Sequence, residues 1–421
     1  MKQTISHIIH NDYSLGVLSK VLTALIGIIS SAFSTRYLGI QYKGDYAYVL
    51  QVANFIVLVL NMGIYQSYSY NYKILGKDTL KKYTDICFFQ FVILFIIMII
   101  MIITINDPLF CLIVLLVPFN ILKMQYTNIG LIENIRLSLW LDVFNGLLMA
   151  ICCIALFYWA RPNVLYLVLL IVALDIITIF MYCVNLKEVP KIWEVDIPFF
   201  KSVLKFGFIP MLSGLLATVN YSVDIIFLKI IGLPEELSLY SLAANIVNYV
   251  WLIPDAFKSV LFSKSAKTFD VEGVELSTQI STMFISVCFI GFAILGKPVL
   301  NLVYGSDFVN SYGPTLLLIV GAFSMSIYKI IGVVLLSQGK RIAHFISLAI
   351  SAVVNVALNA LLIPRIGMYG AGVASVCSYT ICGIGLLIYF CKLYALTPQR
   401  LLIPSGRIIA KLKENLKRSD Q

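Results

Sequence analysis

The sequence predicts an all-α membrane protein of about twelve transmembrane helices. Of its 421 residues, 60% are hydrophobic and 12% are charged, whereas soluble domains are about 45–50% apolar and about 25% charged. The apolar stretches are about twenty residues long, which is the length of a helix that crosses a bilayer. A transmembrane barrel would instead alternate polar and apolar residues over segments of about ten residues.

Twelve apolar segments follow one another along the chain, separated by charged residues, glycines and prolines. The first is longer than the apolar region of a cleavable signal peptide, so we interpret it as a span. Prolines beside polar residues mark several connectors, among them 106–108 and 161–163. The predicted spans are 15–35, 45–66, 84–105, 109–130, 138–159, 163–183, 205–231, 238–260, 277–296, 312–336, 342–363 and 369–391.

The distribution of basic residues predicts the orientation of the spans. With a cytoplasmic N-terminus, the cytoplasmic connectors and both ends carry 22 lysines and arginines, and the outer connectors carry five. This asymmetry follows the positive-inside rule and predicts that both termini are cytoplasmic. Because the net charge of +10 is dispersed among connectors, the sequence does not predict a nucleic-acid partner. The basic tail, residues 396–421, is compatible with an interfacial helix after Pro404 or with a frayed end.

A short pattern occurs twice and predicts an internal duplication. Residues 36–39 and 229–232 each place a basic residue three positions before a glycine, and a tyrosine follows in the next span. A weaker similarity relates residues 133–136 to residues 338–341. We therefore expect two six-helix lobes, 1–190 and 191–395. Since six is even, both lobes should insert in the same sense, related by a pseudo-two-fold axis along the membrane normal.

Three stretches carry a resemblance to a known family. They are 36–46 (RYLGIQYKGDY), with Gly63 and Ile64 further on, 206–214 (FGFIPMLSG), followed by Asp224, and 359–372 (NALLIPRIGMYGAG), preceded by Asn355. In these stretches the chain resembles the Wzx-type O-antigen flippases of the multidrug/oligosaccharidyl-lipid/polysaccharide exporter superfamily. The resemblance implies a multi-pass protein of the bacterial inner membrane. It also implies transport of undecaprenyl-pyrophosphate-linked oligosaccharide from the inner to the outer leaflet.

Charged residues inside the spans are the candidate substrate-binding or cavity residues. A charge at the centre of a bilayer costs about 2.5–3.5 kcal/mol on insertion scales, so such residues usually face a protein interior. Asp175 and Asp224 are the acidic candidates, with hydrogen bonding in helix packing as the alternative role. The basic candidates are Lys20, Arg36, Lys123, Lys229 and Lys329. For the lysines near helix ends, extension of the side chain to the membrane surface is the alternative.

These observations favour a flippase that works by alternating access and is not an enzyme. At least two basic residues, from the five candidates and Lys258, should project into one cavity between the lobes, with Lys20 the first choice. The expected partners are a lipid-linked oligosaccharide, membrane lipid, protons or sodium ions for coupling, and other glycan-assembly membrane proteins. No catalytic residue, metal ligand or cofactor is predicted. The alternatives are a small-molecule or drug exporter of the same superfamily and a membrane-embedded glycan polymerase or ligase.

Overall fold

A computed structural model describes residues 12–76, 78–265 and 271–403, and within these ranges every regular element is a helix. Three short 3₁₀ helices, Ile64–Ser67, Ile192–Glu194 and Ser306–Ser311, lie between α-helices. The surface helix considered after Pro404 lies outside the described residues. The α-helices are α1 Asp12–Leu60, α2 Tyr68–Leu75, α3 Asp78–Thr104, α4 Pro108–Glu133, α5 Ile135–Trp159, α6 Val164–Leu186, α7 Ile197–Ile231, α8 Pro234–Val250, α9 Leu252–Ser265, α10 Val271–Tyr304, α11 Tyr312–Ser337, α12 Arg341–Tyr394 and α13 Pro398–Leu402.

The described helices account for the twelve predicted spans. Nine helices are long and apolar enough to cross a membrane, and the bent pair α8 and α9 forms a tenth candidate. Two of the nine, α1 with 49 residues and α12 with 54, would be about 74 and 81 Å long as straight helices at 1.5 Å per residue. Each is therefore more than twice as long as the bilayer core is thick, and each divides into two spans at an internal break.

A glycine with positive φ forms each break. Gly39 in α1 has φ 64°, and Gly367 in α12 has φ 56° beside the non-helical Ile366. Residues with a β-carbon avoid this region, so glycine allows the chain to turn there. The Glu236 carboxylate, in the first turn of α8, accepts a 2.5 Å hydrogen bond from the backbone N–H of Met368. The sequence predicted connectors at both places, and the structure shows helices that resume after a single kink.

Side-chain caps begin three consecutive helices. Asp107 accepts from the N–H of Leu109 before α4, Asn134 from that of Leu137 before α5, and Asn163 from that of Leu165 before α6. Each cap satisfies backbone donors that have no partner within the helix. These polar residues therefore set the helix starts.

The described chain divides into two compact units between Thr218 and Val219, within α7. The domain boundary predicted at residues 190 and 191 stays a prediction. In the first unit, one core cluster surrounds Tyr37, whose hydroxyl donates to the carbonyl oxygen of Arg161 at 2.7 Å. A second cluster contains four buried tyrosines, Tyr68, Tyr83, Tyr126 and Tyr182. In the second unit, α11 is enclosed, because all of its residues from Met325 to Leu335 are buried.

Ion pairs attach the connector before α7 to the start of α3. Lys81 Nζ lies 2.7 Å from the carboxylate of Glu194, and Lys82 Nζ lies 3.1 Å from that of Asp196. Hydrogen bonds from Lys191 and Lys81 lower the pKa of Glu194 to about 2, so this carboxylate stays ionised at physiological pH. Because all of these groups are exposed, the attachment should weaken as salt concentration rises.

Two glycine backbones meet directly within the first unit. A β-carbon added to Gly207 in α7 would lie 2.5 Å from the carbonyl oxygen of Gly63 and 2.8 Å from that of Met62. Real β-carbons do not approach backbone atoms this closely, so the crossing depends on the absence of side chains at both positions.

We therefore expect Gly207→Ala to lower the free energy of unfolding by about 1–3 kcal/mol, the usual range for overpacking. Gly214→Ala is the matched control on the same helix, since its β-carbon would meet only the side chain of Leu58, at 4.0 Å. Thermal unfolding of the purified protein in detergent, followed by size-exclusion chromatography, measures both variants. Equal midpoints for the two variants would contradict the close crossing.

Candidate functional site

An ion pair joins two spans of the first unit. Lys123 of α4 places Nζ 2.8 Å from Oδ1 of Asp175 on α6, and the Asp175 side chain is 1% exposed while that of Lys123 is 35% exposed. Both residues were singled out from the sequence as intramembrane charges. Their pairing explains how α6 can bury a carboxylate between apolar neighbours.

Two further charges extend this pair across four spans. The carboxylate of Asp142 on α5 is within electrostatic range of Lys123 and of Lys20 on α1. Lys20 and Asp142 are both exposed on their helices. With two basic and two acidic groups, the set of Lys20, Lys123, Asp142 and Asp175 is electrically balanced, and we call it the charge cluster. The first-choice residue Lys20 and a second basic candidate, Lys123, therefore both attract the carboxylate of Asp142.

The second unit holds a corresponding intramembrane lysine. Lys329 of α11 is 8% exposed, and its Nζ lies 2.9 Å from Oδ2 of Asp255 on α9. The same ammonium lies 4.2 Å from the ring centroid of Trp251 and 5.6 Å from that of Tyr221. Aromatic faces attract a cation, so the lysine is held by one carboxylate and two rings. Lys258, the sixth basic residue considered from the sequence, is exposed and close enough to repel Lys329.

Lys123 and Lys329 occupy related positions in the sequence repeat. Lys123 lies ten residues before Glu133, and Lys329 lies nine before Gln338, the two residues that begin the weaker repeated pattern. Each is on the fourth predicted span of its half. Their acidic partners do not correspond, because Asp175 is on the sixth span and Asp255 is at the end of the second span of its half.

Asp224 belongs to a hydrogen-bonded network within the second unit. Its side chain is 1% exposed and accepts hydrogen bonds from the hydroxyl of Tyr240 and, at 2.9 Å, from that of Ser375. Its other oxygen, Oδ1, is buried without a hydrogen-bond partner. Nearby, Asn220 donates to Ser351 at 2.6 Å. Asp224 thus packs in a polar interior, and its oxygen Oδ1 can accept a further hydrogen bond or bind a cation.

Arg36 and Lys229 lie towards the ends of helical segments. Arg36 is exposed, three residues before the break at Gly39, and lies about 24 Å along α1 from Lys20 at 1.5 Å per residue. Lys229 lies in the last turn of α7 and is half-buried. The structure therefore does not bring Arg36 together with the charge cluster, and the roles of both residues stay predictions.

Part of the sequence matches a known protein family, and the fold matches a solved membrane protein. A family model described as "Polysaccharide biosynthesis protein" matches residues 123–312. No curated protein sequence matches the chain. Among solved structures, the lipid II flippase MurJ in an inward closed conformation is similar with a TM-score of 0.77 at 14% identity, over 92% of this chain and 89% of that chain.

The fold is also similar to the folds of solved MOP-superfamily transporters. An inward-facing multidrug resistance MATE family transporter of that superfamily gives a TM-score of 0.64 at 12% identity, over 91% of this chain and 99% of that one. A mutant of the MATE transporter VcmN of Vibrio cholerae gives a TM-score of 0.61 at 11% identity, over 94% of this chain and 98% of that chain. The family match over residues 123–312 and the fold agree with the resemblance stated from the sequence, and the long apolar helices together with this fold support a multi-pass membrane protein.

The sequence reasoning missed one of the buried charges of this fold. Lys43 was assigned to an outer connector, but it lies in the second half of α1 and is only 2% exposed. Its Nζ lies 5.5 Å from the ring centroid of Tyr46, one helical turn away. The spacing of three residues between a lysine and a tyrosine after a glycine break was the signal that could have located it.

The Lys123–Asp175 pair predicts an asymmetric response to mutation. Lys123→Met leaves a buried carboxylate without its counter-charge and should cost up to about 3 kcal/mol, whereas Asp175→Leu leaves a partly exposed lysine and should cost less. The double variant should be more stable than the sum of the two single changes implies. A double-mutant cycle of unfolding free energies measures the coupling.

The exposed pair Lys81 and Glu194 is the control. Its Nζ–oxygen distance of 2.7 Å is close to the 2.8 Å of the Lys123–Asp175 pair, but solvent screens the attraction between its charges. Lys81→Met and Glu194→Leu should show almost no coupling. Additive effects for Lys123 and Asp175, matching those of the control pair, would show that the intramembrane pair contributes nothing to stability.

Proposed function

We propose that this chain is a flippase that moves an undecaprenyl-pyrophosphate-linked oligosaccharide, an O-antigen repeat unit or a related glycan, from the inner to the outer leaflet of the bacterial inner membrane. Its termini and basic connectors lie in the cytoplasm in this proposal, as the 22-to-5 distribution of basic residues favours. The mechanism is alternating access, in which the polar head group crosses while the prenyl chain stays in lipid.

The observation that carries the proposal is the match of residues 123–312 to polysaccharide biosynthesis proteins within a MOP-superfamily fold. A fold alone supports many functions, and the family match is what favours a glycan-linked substrate. The match begins at Lys123 itself and extends through Asp175, Asp224 and Asp255.

The charge arrangement suits a pyrophosphate-linked substrate. Each unpaired polar group in hydrocarbon costs several kcal/mol, so the head group needs replacement partners while it crosses. Lys20 and Lys123 can supply them, because a pyrophosphate can take over the interactions that Asp142 and Asp175 make with these lysines. An ion pair in the resting protein thereby keeps a cation inside the membrane, ready for an anionic ligand.

Coupling to protons or sodium ions is part of the same proposal. Asp175 and Asp224 are the buried carboxylates that could bind the coupling ion. Both residues have buried carboxylate oxygens without a hydrogen-bond partner, and Asp224 is favoured because Asp175 is already ion-paired with Lys123.

A drug exporter of the same superfamily is the second candidate, and the MATE family similarities favour it. Exported drugs are commonly cations, and aromatic rings would attract them. In the second unit, Tyr221, Trp251 and Tyr379 form an aromatic group with centroid distances of 5.2 to 6.1 Å. The ammonium of Lys329 already lies against Tyr221 and Trp251, so a cationic drug would meet like charge there.

Loss of the gene should make lipid-linked glycan accumulate in the inner leaflet, and the wild-type chain should restore export. Lys20→Ala should slow export, and Lys20→Arg should largely preserve it, since arginine retains the positive charge. The measurement is the leaflet in which the glycan resides, with protein abundance in the membrane recorded in parallel.

Lys201→Ala is the control for loss of an exposed lysine on α7 and should leave export unchanged. Normal export in the gene deletion, with unchanged leaflet distribution, would refute the flippase proposal. Equal export by Lys20→Ala and Lys20→Arg would indicate that the Lys20 side chain extends to the membrane surface and does not bind the substrate.

A further inference from the structure

A separate pocket in the first unit is lined by carboxamides, and one of its lining residues, Asn120, lies three positions before Lys123 of the charge cluster. It has a volume of about 260 Å³ and lies between the second half of α1 and α4. It is smaller than the about 300–1,000 Å³ typical of drug-sized ligand sites. Its lining consists of three carboxamide and three aliphatic side chains, namely Gln51, Asn54, Asn120, Leu50, Ala53 and Leu116.

The three carboxamides have unused hydrogen-bonding capacity. Oε1 of Gln51 is buried without a hydrogen-bond partner. Asn54 is exposed and Asn120 is half-buried, and neither side chain makes a hydrogen bond within the part of the chain that the structure describes. Each amide offers two donors and an acceptor, and leaving the buried Gln51 oxygen unsatisfied is costly. The pocket is therefore built for a polar occupant.

The position of the pocket is central along both helices. Gln51 lies about 18 Å from Gly39 and about 14 Å from Leu60 along α1, and Asn120 lies about 18 Å from the start of α4. Transporters bind substrates near the middle of the bilayer. Asn120 is also about one turn before Lys123 on α4, so the carboxamide pocket and one member of the charge cluster are neighbours along that helix.

We infer that this carboxamide pocket is the subsite for a neutral sugar ring of the transported lipid-linked glycan. The inference rests on the proposed function and adds to it where the sugar is bound. Sugar hydroxyls are both donors and acceptors, as carboxamides are, while Leu50, Ala53 and Leu116 can pack against the C–H face of the ring. The six lining residues include no charged one, so a pyrophosphate or an organic cation is a poor fit.

The pocket and the charge cluster therefore divide the recognition of one substrate. Lys20 and Lys123 serve the pyrophosphate, and Gln51, Asn54 and Asn120 serve the adjoining sugar. The pocket is large enough for one ring-sized group rather than a whole oligosaccharide. It would therefore bind a single sugar, one that lies close to the pyrophosphate.

The test compares two probes bound to the purified full-length chain in lipid nanodiscs. One probe is undecaprenyl pyrophosphate, and the other is the same lipid bearing the oligosaccharide extracted from the source cells. The wild-type chain should bind the glycosylated lipid more tightly. Gln51→Leu and Asn120→Leu should each reduce this preference about three- to tenfold, the effect of one or two lost hydrogen bonds, without changing the affinity for undecaprenyl pyrophosphate.

Two controls keep the outcome decisive. Asn120→Ser retains a hydroxyl and should retain part of the preference. Asn128→Leu removes a half-buried asparagine of the same helix that donates to the carbonyl oxygen of Met124 outside the pocket, and it should leave the preference unchanged. If the pocket variants weaken binding of both lipids equally, or leave the preference intact, the pocket holds only water and the inference is overturned. If the wild-type chain binds neither lipid, the proposed function itself fails, which is a distinguishable result.

Discussion

The cost of an unpaired charge in hydrocarbon governs the arrangement of this chain. In each described unit, one lysine within the spans lies close to a carboxylate of the same unit: Lys123 to Asp175, and Lys329 to Asp255. The helices that carry these groups must stay in register, because moving either partner by one turn would separate the charges. The ion pairs therefore connect the packing of the spans to the chemistry that the interior offers a substrate.

Composition and segment length were sufficient to predict the fold, because twelve apolar stretches of bilayer length admit few other structures. Details that depend on single residues were harder. The sequence placed connectors at residues 36–44 and 364–368, and the helices do break there, but over only one or two residues, Gly39 in α1 and Ile366 with Gly367 in α12. The eighth predicted span, 238–260, consists of two helices, α8 and α9, which meet at a bend of 48°. A hydropathy pattern averages over many residues and cannot resolve such breaks.

Individual site residues were predictable, but their partners were not. Asp175 and Lys123 were each recognised as charges in an apolar setting, yet 52 positions separate them in the sequence, and only packing brings them together. Lys43 was missed because a lysine near a glycine-rich turn resembles a connector residue. The carboxamide pocket was missed for a similar reason: Gln51, Asn54 and Asn120 are uncharged, so they stand out only once two helices enclose them.

The most direct test of the account is transbilayer movement by the purified chain alone. Vesicles would contain undecaprenyl-pyrophosphate-linked oligosaccharide with a fluorescent label on the glycan, and an impermeant quencher would be added outside. The account predicts that vesicles with the protein lose nearly all fluorescence, while protein-free vesicles lose only the signal of the outer leaflet. Identical quenching with and without the protein, under coupling gradients of protons and of sodium ions in turn, would contradict it.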